Sequence, residues 1–546
     1  MKKLTILFLT FVLVLSLSAC KEETEEPNDN KDDGPDMSWK IEYEMVDTSP
    51  YFNEQVDVCY QIFPISYADS DGDGYGDLKG ITENISYLSD TLGVDCIWLN
   101  PVNPSNTYHK YDVLDYYGID PQLGTMEDYE ELLEVAEEHG IKILMDLVIN
   151  HTSYHHPWFI NARSSKESEY RDWYIWNDLT DRELYPSKDG WYFNNGEYYY
   201  ASFWDQMPEL NMDNPEVREE FEKIATFWLE KGVDGFRIDA AKHLYDLNEY
   251  PRGTNLLYEN RMFFRQFNDH IKSINPDAFM VGEIWSESAS FIGYFYEGMD
   301  SAFNFPVSEA ILEGLRGGSS SAIQEALADT MDEFGQVRED YIDSFFLTNH
   351  DQNRILDELS YNMEKMRLAA HINFTMPGIS WIYYGEELGM TGVKPDESIR
   401  QPFKWGEESP YNAQGMPGGI ASWTSDNVNL AGVEEQKLDE ESLLNLYIDL
   451  IALKKNNSAL SEGNLSFIEH NGSRLLVFVR ESEDQRLLVI HNMSQVEQVF
   501  TENIAGDNLL YGNDFLSVVD EDTMRIDALS TLIFEVTEEG IVISEE

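Results

Sequence analysis

The chain has 546 residues, 42% of them hydrophobic and 13% aromatic, which is enough for a large globular core. Its 37 basic residues stand against 102 acidic ones, giving a formal net charge of −65. A surface of that sign disfavours nucleic acids and anionic substrates and favours neutral ligands or cations. We therefore expect no nucleic-acid partner, and we expect the protein to be a monomer.

The N-terminus has the pattern of an export signal. Lys2 and Lys3 precede an apolar run that is too short for a membrane span and ends in "LSAC". That ending resembles the bacterial lipoprotein box, whose cysteine, here Cys20, is lipidated after cleavage. Residues 1–20 are therefore predicted as a lipoprotein signal peptide, and the acidic stretch 21–52 as a linker and lead-in. The prediction is a protein exported and lipid-anchored to the outer face of the bacterial cell membrane, with the anchor as its only membrane contact.

Short apolar runs alternate with amphipathic helical stretches from residue 53 onward. A helix pattern between two of them has Thr125 as its N-cap and Gly140 as its stop. Eight such strand–helix units predict an α/β fold, a parallel (β/α)₈ TIM barrel. The runs predicted as strands are 56–64, 93–102, 141–149, 233–241, 277–285, 300–307, 343–351 and 379–388.

Two segments depart from this rhythm. Residues 151–215, after the third strand, are rich in Trp, Tyr and Asn without a helical period, and they predict an inserted B domain between barrel parts 53–150 and 216–458. Core packing is favoured over sugar stacking for each of its tryptophans, Trp173, Trp176, Trp191 and Trp204. Residues 459–546 alternate as short strands and predict a C-terminal antiparallel β-sandwich.

Two cysteines remain after the signal segment. Cys59 and Cys96 both lie inside apolar, strand-like runs. Two buried thiols are the favoured interpretation, and a disulfide between neighbouring strands is the alternative.

The stretch "DSDGDGYGDL", residues 69–78, is a ladder of aspartates interrupted by Tyr75. An EF-hand loop needs a glutamate at its twelfth position, where Gly80 stands, and it needs flanking helices that the sequence does not predict. The glycine spacing approaches a dinucleotide fingerprint, but four carboxylates would repel a pyrophosphate. The pattern therefore predicts a cation site and not a calcium sensor.

Polar residues gather at the ends of the predicted barrel strands, where such barrels carry their active sites. Three carboxylates from strands four, five and seven are expected to face one opening. Acids arranged in this way suit cleavage of a glycosidic bond, which needs a proton donor and a carboxylate facing the anomeric carbon. The strand-end residues are Asp146, Asn150, His151, Arg237, Asp239, Glu283, Asn349, His350 and Asp351.

Four short segments at these strand ends resemble the sequence blocks of the α-amylase family, glycoside hydrolase family 13. They are "DLVINH" (146–151), "GFRIDAAKH" (235–243), "GEIW" (282–285) and "TNHD" (348–351), in the order the family has them. "MPELN" (207–211) resembles a fifth block. The likeness extends over nearly the whole chain after the linker. Within the family, the sequence also resembles the oligo-1,6-glucosidase and neopullulanase-like branches.

The resemblance implies a role for each acid. Asp239 would be the nucleophile that forms a covalent glycosyl-enzyme intermediate, with Arg237 holding its carboxylate ionised and oriented. Glu283 would act first as the acid and then as the base. Asp351 would bind the hydroxyls of the distorted sugar. The substrate-binding residues implied beside Arg237 are His151, His350, Tyr111, Asp112, Lys242 and His243.

The resemblance also implies Ca²⁺ as a cofactor. Asp69, Asp71, Asp73 and Asp77 would bind it through their side chains, and Tyr75 through its backbone carbonyl. A second calcium site would use Asn150, Glu209 and the His243 carbonyl. The ion of the aspartate ladder would be structural.

The expected function is that of a retaining α-glucan hydrolase cutting internal α-1,4 bonds of starch and malto-oligosaccharides. Two alternatives within the family remain open, an exo-acting α-glucosidase or oligo-1,6-glucosidase and a neopullulanase or cyclomaltodextrinase-like enzyme. A non-catalytic surface protein that binds glucan is a further alternative, and transfer to sugar acceptors remains open as well.

Overall fold

The structure is a computed structural model. It describes residues 45–181, 187–246, 254–415, 422–423, 427–468, 470, 472–501, 508–512, 516–520 and 523–536. The predicted signal peptide, the lipidated Cys20 and most of the acidic linker lie outside the described residues. In the part of the chain that is described, no helix is both long and apolar enough to cross a membrane.

Eight parallel strands close into a barrel, as the sequence predicts. Around the barrel their order is β1, β11, β10, β9, β8, β7, β3, β2. The bounds are β1 Val58–Ile62, β2 Cys96–Leu99, β3 Lys142–Leu147, β7 Gly235–Ile238, β8 Phe279–Gly282, β9 Ser301–Phe303, β10 Ile342–Phe345 and β11 Ile379–Tyr383. All eight predicted runs are barrel strands, so the fold-class prediction is confirmed.

Alternate strand residues fill the barrel interior with a separate apolar cluster. Trp98 of β2 packs edge-on against Trp381 of β11 at 6.2 Å between ring centroids, and Phe303 of β9 contacts both rings. At the entry end, Phe52 stacks on Phe279 at 4.3 Å. The interior is therefore a packed core that leaves only the carboxyl ends of the strands open to chemistry.

Cys59 and Cys96 form a disulfide, so the favoured interpretation of two free thiols is wrong. The two cysteines are direct partners in the register between β1 and β2, with their Cα atoms 4.5 Å apart. Both side chains point into the barrel interior. The apolar pattern predicts each strand but not the register between β1 and β2. That register decides whether the two sulfur atoms lie close enough to bond.

Helices follow most barrel strands and cover the outside of the barrel. α4 begins at the predicted Thr125 N-cap with a capping box to Asp128, and it ends just before Gly140. The helices are α1 Pro50–Gln55, α2 Pro64–Tyr67, α3 Leu78–Glu83, α4 Met126–Glu138, α5 Pro157–Ala162, α6 Pro215–Lys231, α7 Leu256–Ile274, α8 Ala289–Gly293, α9 Phe305–Gly317, α10 Ser321–Val337, α11 Ile355–Glu358, α12 Met363–Thr375, α13 Asp396–Ile399, α14 Val433–Gln436, α15 Leu443–Lys455 and α16 Ser458–Ser461.

Between β3 and β7 the chain forms a small antiparallel sheet. Its strands are β4 Trp176–Asn177, β5 Trp191–Asn194 and β6 Glu197–Tyr200, with β6 in the centre. Trp173 and Trp191 are buried, whereas Trp204 is 45% exposed. The first two tryptophans therefore pack in the core, and Trp204 presents its ring to solvent.

The C-terminal part forms two antiparallel sheets. One has the order β12, β13, β14, β19, β16 and the other the order β15, β18, β17. The strands are β12 Asn464–Phe467, β13 Leu475–Glu481, β14 Arg486–Asn492, β15 Gln498–Phe500, β16 Asn508–Tyr511, β17 Leu516–Asp520, β18 Thr523–Ile526 and β19 Thr531–Glu535. Buried Arg480 joins this part to the barrel by donating to the Thr375 carbonyl at 2.7 Å.

Candidate active site

The barrel brings the predicted acids to one end. Asp146 lies in β3 and is the register partner of Arg237 in β7. Asp239 and Glu283 directly follow β7 and β8, and Asp351 lies in the turn after β10. Because all eight strands run in the same direction, these side chains share the carboxyl-terminal opening.

Arg237 is fully buried and contacts three carboxylates. Its Nη1 lies 2.9 Å from Asp146 Oδ1 and 2.8 Å from Asp239 Oδ1, and its Nη2 lies 2.9 Å from Glu283 Oε2. The guanidinium also lies 4.7 Å from the centroid of the Trp98 ring. A buried guanidinium is stable only with anions beside it, and here one positive charge lies against three carboxyl groups.

The turn after β7 aims a backbone amide at Glu283. Ala240 N donates to Glu283 Oε2 at 3.0 Å, and Ala241 N donates to the Glu283 carbonyl at 3.1 Å. Ala240 has a φ of 47°, in the left-handed region. That conformation costs a residue with a Cβ about 1–3 kcal/mol. The surrounding packing holds this strained turn, and the turn fixes Glu283 beside Asp239.

The acids influence one another's ionisation. Burial raises the pKa of Asp239; Arg237 opposes this rise, while Glu283, Asp146 and Asp351 add to it. Burial also raises the pKa of Asp146 to about 6, against the opposing effect of Arg237. Repulsion among these carboxylates disfavours ionisation of all of them at once, and the positive charge of Arg237 opposes that effect.

His350 connects the barrel core to Tyr111. Gln61 Nε2 donates to His350 Nδ1 at 2.8 Å, so the ring proton is on Nε2, which lies 2.6 Å from Tyr111 Oη. Tyr111 Oη in turn donates to Asp146 Oδ2 at 3.0 Å, and the two rings stack at 5.5 Å. Burial lowers the pKa of His350 to about 3, so the ring is a neutral hydrogen-bond donor.

Arg400 is a site residue that the sequence reasoning missed. Its Nη2 lies 2.7 Å from Asp351 Oδ1, and its Nε donates to the His350 carbonyl at 2.9 Å. Burial raises the pKa of Asp351, but His350 and Arg400 together hold it below its ordinary value. No sequence signal marked Arg400, because it follows α13 and lies far from any strand end.

Lys242 and His243 lie on the short turn Ala241–His243 that follows β7. Lys242 Nζ donates to the Trp285 carbonyl at 2.5 Å. His243 Nδ1 lies 2.9 Å from Asp246 Oδ2. Both residues are therefore near the acids, although their side chains contact other parts of the protein.

His151 lies at the junction of the barrel and the inserted sheet. Its Nε2 donates to the Tyr111 carbonyl at 3.2 Å, and burial lowers its pKa to about 4. Phe203 lies beside it, with ring centroids 5.6 Å from His151 and 5.1 Å from His243. The Phe203 side chain is 49% exposed at the opening, a position that the sequence pattern did not reveal.

Asp112, which is expected to bind substrate, is buried and hydrogen-bonded to neighbouring side chains. The residue is 2% exposed. Its carboxylate accepts hydrogen bonds from the hydroxyls of Ser105, at 2.5 Å, of Thr107, and of Ser153, at 3.3 Å. Three hydroxyl side chains donate to its oxygens, so Asp112 holds the loop that carries Tyr111.

The aspartate ladder forms an acidic group at the edge of the barrel opening. Oxygen atoms of Asp69, Asp71 and Asp77 lie within 4.8 Å of one another. Asp69 accepts two loop N–H groups at 2.7 and 2.8 Å, which folds the ladder around that carboxylate. Asp73 is outside this group, and its carboxylate accepts from Tyr75 N at 2.8 Å. Three carboxylates at this spacing fit a calcium ion, which prefers oxygen ligands.

A second set of acceptors lies between the barrel and the inserted sheet. Among the described residues, Asn150 Oδ1 and Glu209 Oε2 are buried without a hydrogen-bond partner. Glu209 Oε1 accepts from Ser202 N at 2.7 Å, and burial raises the pKa of Glu209 to about 8. Buried acceptors without donors are costly, and a cation would satisfy them.

Comparisons with known proteins identify the family of the chain. The family model described as "Alpha amylase, catalytic domain" matches residues 61–463. "Alpha-amylase 3" of Dictyoglomus thermophilum is 42% identical over 462 residues, covering 83% of this chain and 88% of that protein. "4-alpha-glucanotransferase" of Thermotoga neapolitana is 35% identical, covering 81% and 97%. The crystal structure of the α-amylase from H. orenii has a TM-score of 0.80 at 37% identity, covering 89% of this chain and all of that one.

The barrel, its acids and these relatives define a glycoside hydrolase. The chain belongs to the α-amylase family.

Proposed function

We propose that the protein hydrolyses internal α-1,4 bonds of starch and malto-oligosaccharides with retention of configuration. The observation that carries this proposal is the single buried guanidinium of Arg237, which contacts both Asp239 and Glu283. Retaining enzymes keep their two carboxyl groups about 5–5.5 Å apart, closer than inverting enzymes do. Contact of both acids with the same guanidinium supports a close pair of carboxyl groups, as in retaining enzymes.

The reaction proceeds in two displacements. Asp239 attacks the anomeric carbon as Glu283 gives its proton to the leaving oxygen, and the glycosidic bond breaks. The product is a glycosyl ester of Asp239. Glu283 then removes a proton from water, the resulting hydroxide attacks the same carbon, and the ester bond breaks. The enzyme returns to its starting protonation state.

Asp351 and the histidines position the sugar. The lowered pKa of Asp351 keeps its carboxylate ionised, so it accepts hydrogen bonds from sugar hydroxyls. His350 and His151 are neutral at ordinary pH because burial lowers both pKa values. Tyr111, fixed by Asp146 and His350, supports the floor of the site.

We further propose that calcium stabilises the barrel opening. Asp69, Asp71 and Asp77 would hold one ion, with Asp73 and the Tyr75 carbonyl as its remaining predicted ligands. Asn150, Glu209 and the His243 carbonyl would hold a second ion. Burial raises the pKa of Asp77, and the charge of Asp71 adds to this rise. A cation would offset that repulsion.

Export and a lipid anchor at Cys20 complete the proposal. The disulfide between Cys59 and Cys96 supports export, because disulfides persist in oxidising compartments. Labelling with a radioactive fatty acid tests the anchor. We expect label on the unaltered protein and none on Cys20→Ala, which should be released from the membrane fraction; label on both would reject Cys20 as the anchor.

Product analysis tests the cleavage pattern. We expect maltoheptaose blocked at its non-reducing end to be cut internally, and starch to lose viscosity before much reducing sugar appears. A blocked chain that stays intact while the unblocked chain is degraded would indicate an exo-acting α-glucosidase. Binding of starch without any release of reducing sugar would indicate a glucan-binding protein. Parallel digestion of pullulan and cyclodextrin reports the range of linkages.

A further inference from the structure

Gln61 and Asn100 are buried at the carboxyl end of the barrel, and neither takes part in the two displacements described above. Gln61 lies in β1 two residues after Cys59, so its side chain also points into the barrel interior. Asn100 directly follows β2, the neighbour of β1 in the barrel. A buried amide side chain is costly unless it is hydrogen-bonded, so the partners of these two residues indicate why they are there.

Four side chains form a closed ring of hydrogen bonds. Gln61 Nε2 donates both its hydrogens, one to His350 Nδ1 at 2.8 Å and one to Asn100 Oδ1 at 2.9 Å. Asn100 Nδ2 donates to Tyr111 Oη at 2.9 Å, and His350 Nε2 lies 2.6 Å from the same oxygen, which closes the ring. Tyr111 Oη in turn lies 3.0 Å from Asp146 Oδ2, outside the ring.

The connection to Asp146 sets the direction of every hydrogen bond in the ring. An ionised carboxylate only accepts, so the single hydroxyl hydrogen of Tyr111 goes to Asp146. Tyr111 Oη then accepts from Asn100 Nδ2 and from His350 Nε2. If both amides were reversed, that one hydroxyl hydrogen would face three acceptors, Asp146 Oδ2, Asn100 Oδ1 and His350 Nε2. Only the first arrangement gives each acceptor a hydrogen, and in it Gln61 donates to Nδ1 of a ring protonated on Nε2.

Gln61 also opposes a positive charge on His350. An imidazolium carries a hydrogen on each nitrogen, so its Nδ1–H would point at the N–H of Gln61. Burial is the largest cause of the lowered pKa of His350, which is about 3. The titratable groups that face the ring are Tyr111, Asp351, which raises this pKa, and Arg400, Arg237 and His109, which lower it. The ring is therefore neutral and keeps one hydrogen, on Nε2.

That hydrogen lies where the sugar is expected. His350 Nε2 is 3.2 Å from Asp351 Oδ2, the carboxylate assigned above to the sugar hydroxyls. A donor beside an acceptor suits sugar hydroxyls, because each hydroxyl both donates and accepts. With its hydrogen on Nδ1, His350 would instead present a second acceptor beside Asp351, and the site would lose a donor.

We propose that Gln61 is a positioning residue that holds His350 in the neutral form protonated on Nε2, so that His350 donates to the reacting sugar. Gln61 acts through His350 and not by touching the substrate. Asn100 supports the same arrangement, because its amide fixes the orientation of the Gln61 amide and of the Tyr111 hydroxyl. The inference rests on the proposed hydrolysis of α-1,4 bonds.

Gln61→Glu is the sharpest kinetic test, because it replaces a donor by an acceptor of nearly the same shape. Its carboxylate draws the hydrogen of His350 onto Nδ1, and Nε2 regains a hydrogen only when the pair binds one more proton at lower pH. The basic limb of kcat for maltoheptaose hydrolysis should therefore move to lower pH than in the wild type. Above that limb, kcat should be about tenfold lower or less, the effect of one lost hydrogen bond or more.

Two further variants separate this role from packing. Gln61→Met removes the donor without adding a titratable group, so it should lower kcat about tenfold with the basic limb at the wild-type pH. Gln336→Glu makes the same exchange at an exposed glutamine of α10 that donates to Asp332. It is the matched control and should keep the wild-type kcat and pH profile. Circular dichroism checks the fold of each variant.

Neutron diffraction from crystals of the full-length protein in heavy water shows the hydrogen positions directly. In the wild type we expect deuterium on Nε2 of His350 and none on Nδ1. In Gln61→Glu, at a pH above its basic limb, we expect deuterium on Nδ1. If both Gln61 variants fail to fold, the deuterium positions of the wild type decide the question alone.

Three results would overturn the inference without touching the proposed hydrolysis. The first is deuterium on Nδ1 of His350 in the wild type. The second is wild-type kcat and pH dependence in folded Gln61→Glu and Gln61→Met. The third is an equal, pH-independent loss of kcat in both variants, which would show that Gln61 only fills space. A wild type that does not hydrolyse malto-oligosaccharides would reject the proposed function, and the role of Gln61 with it.

Discussion

The molecule contains two groups of clustered acids that differ in how their charge is balanced. Around Arg237, three buried carboxylates share an internal guanidinium. In the ladder Asp69–Asp77, no lysine or arginine of the described chain forms an ion pair with the aspartates, which are held by loop N–H groups. The first group has its own counterion, and the second has none among the described lysines and arginines.

This difference separates two uses of clustered carboxylates. Burial beside an internal cation shifts the pKa values of clustered acids, which is typical of catalytic sites. Carboxylates without an internal cation, folded around one point, suit a metal ion that stabilises a loop. The comparison therefore predicts which group should affect turnover and which should affect stability.

The largest effect should come from the acids next to Arg237. Asp239→Asn and Glu283→Gln should each lower kcat by about 10³-fold or more, because each removes a reacting group. Steady-state hydrolysis of malto-oligosaccharides measures this, with circular dichroism confirming the fold. Asp329→Asn, at an exposed acid on α10, is the matched control and should keep full activity. Substantial activity in both site variants would contradict the assignment of the catalytic group.

Removing the internal counterion should destabilise the first group. Arg237→Met leaves buried carboxylates without their cation and should cost about 3–5 kcal/mol in the free energy of unfolding. Urea denaturation measures the change. Arg525→Met breaks an ion pair with Glu497 whose side chains are 50% and 46% exposed, and should cost about 0–1 kcal/mol. Equal losses of unfolding free energy in Arg237→Met and Arg525→Met would show that the buried cation contributes no more to stability than the exposed one.

Chelation should act on the ladder. Removing calcium should lower Tm by about 5 °C, and adding it back should restore Tm, because a bound ion stabilises only the folded chain. Asp71→Asn should reduce this shift more than Asp73→Asn, since Asp71 and not Asp73 belongs to the close group of oxygens. A Tm that is insensitive to calcium removal and return would refute the site.

The smallest effect concerns pH. Asp351 has a lowered pKa, so the stabilisation it gives is present above its ordinary pKa and is lost as the pH falls through the lowered value. Arg400→Met removes the neighbouring charge, raises that pKa, and should move the acid limb of kcat/KM to higher pH. Arg400→Lys should restore part of the wild-type profile. If the acid limb of kcat/KM stays at the same pH in Arg400→Met, that limb reports the ionisation of a group other than Asp351.

The strands and most of the acids could be predicted because they depend on local pattern. An apolar run with a polar residue at its end fixes both a barrel strand and the place of Asp239 or Glu283. Arg400 and the Cys59–Cys96 pairing depend instead on which distant segments become neighbours. Asp112 illustrates the same limit, because its three hydroxyl partners are fixed by a loop whose path has no sequence period.

The entry of the chain into the barrel has a consequence for how the enzyme meets its substrate. Phe52 of α1 packs on Phe279, the first residue of β8, whereas Glu283 follows the last residue of that strand. Ser49 Oγ likewise donates to the Asp277 carbonyl just before β8. The described chain, which begins at residue 45, therefore enters the barrel at the face opposite the acids. Under the proposed anchor at Cys20, attachment on that side would leave the catalytic opening free for long polysaccharides.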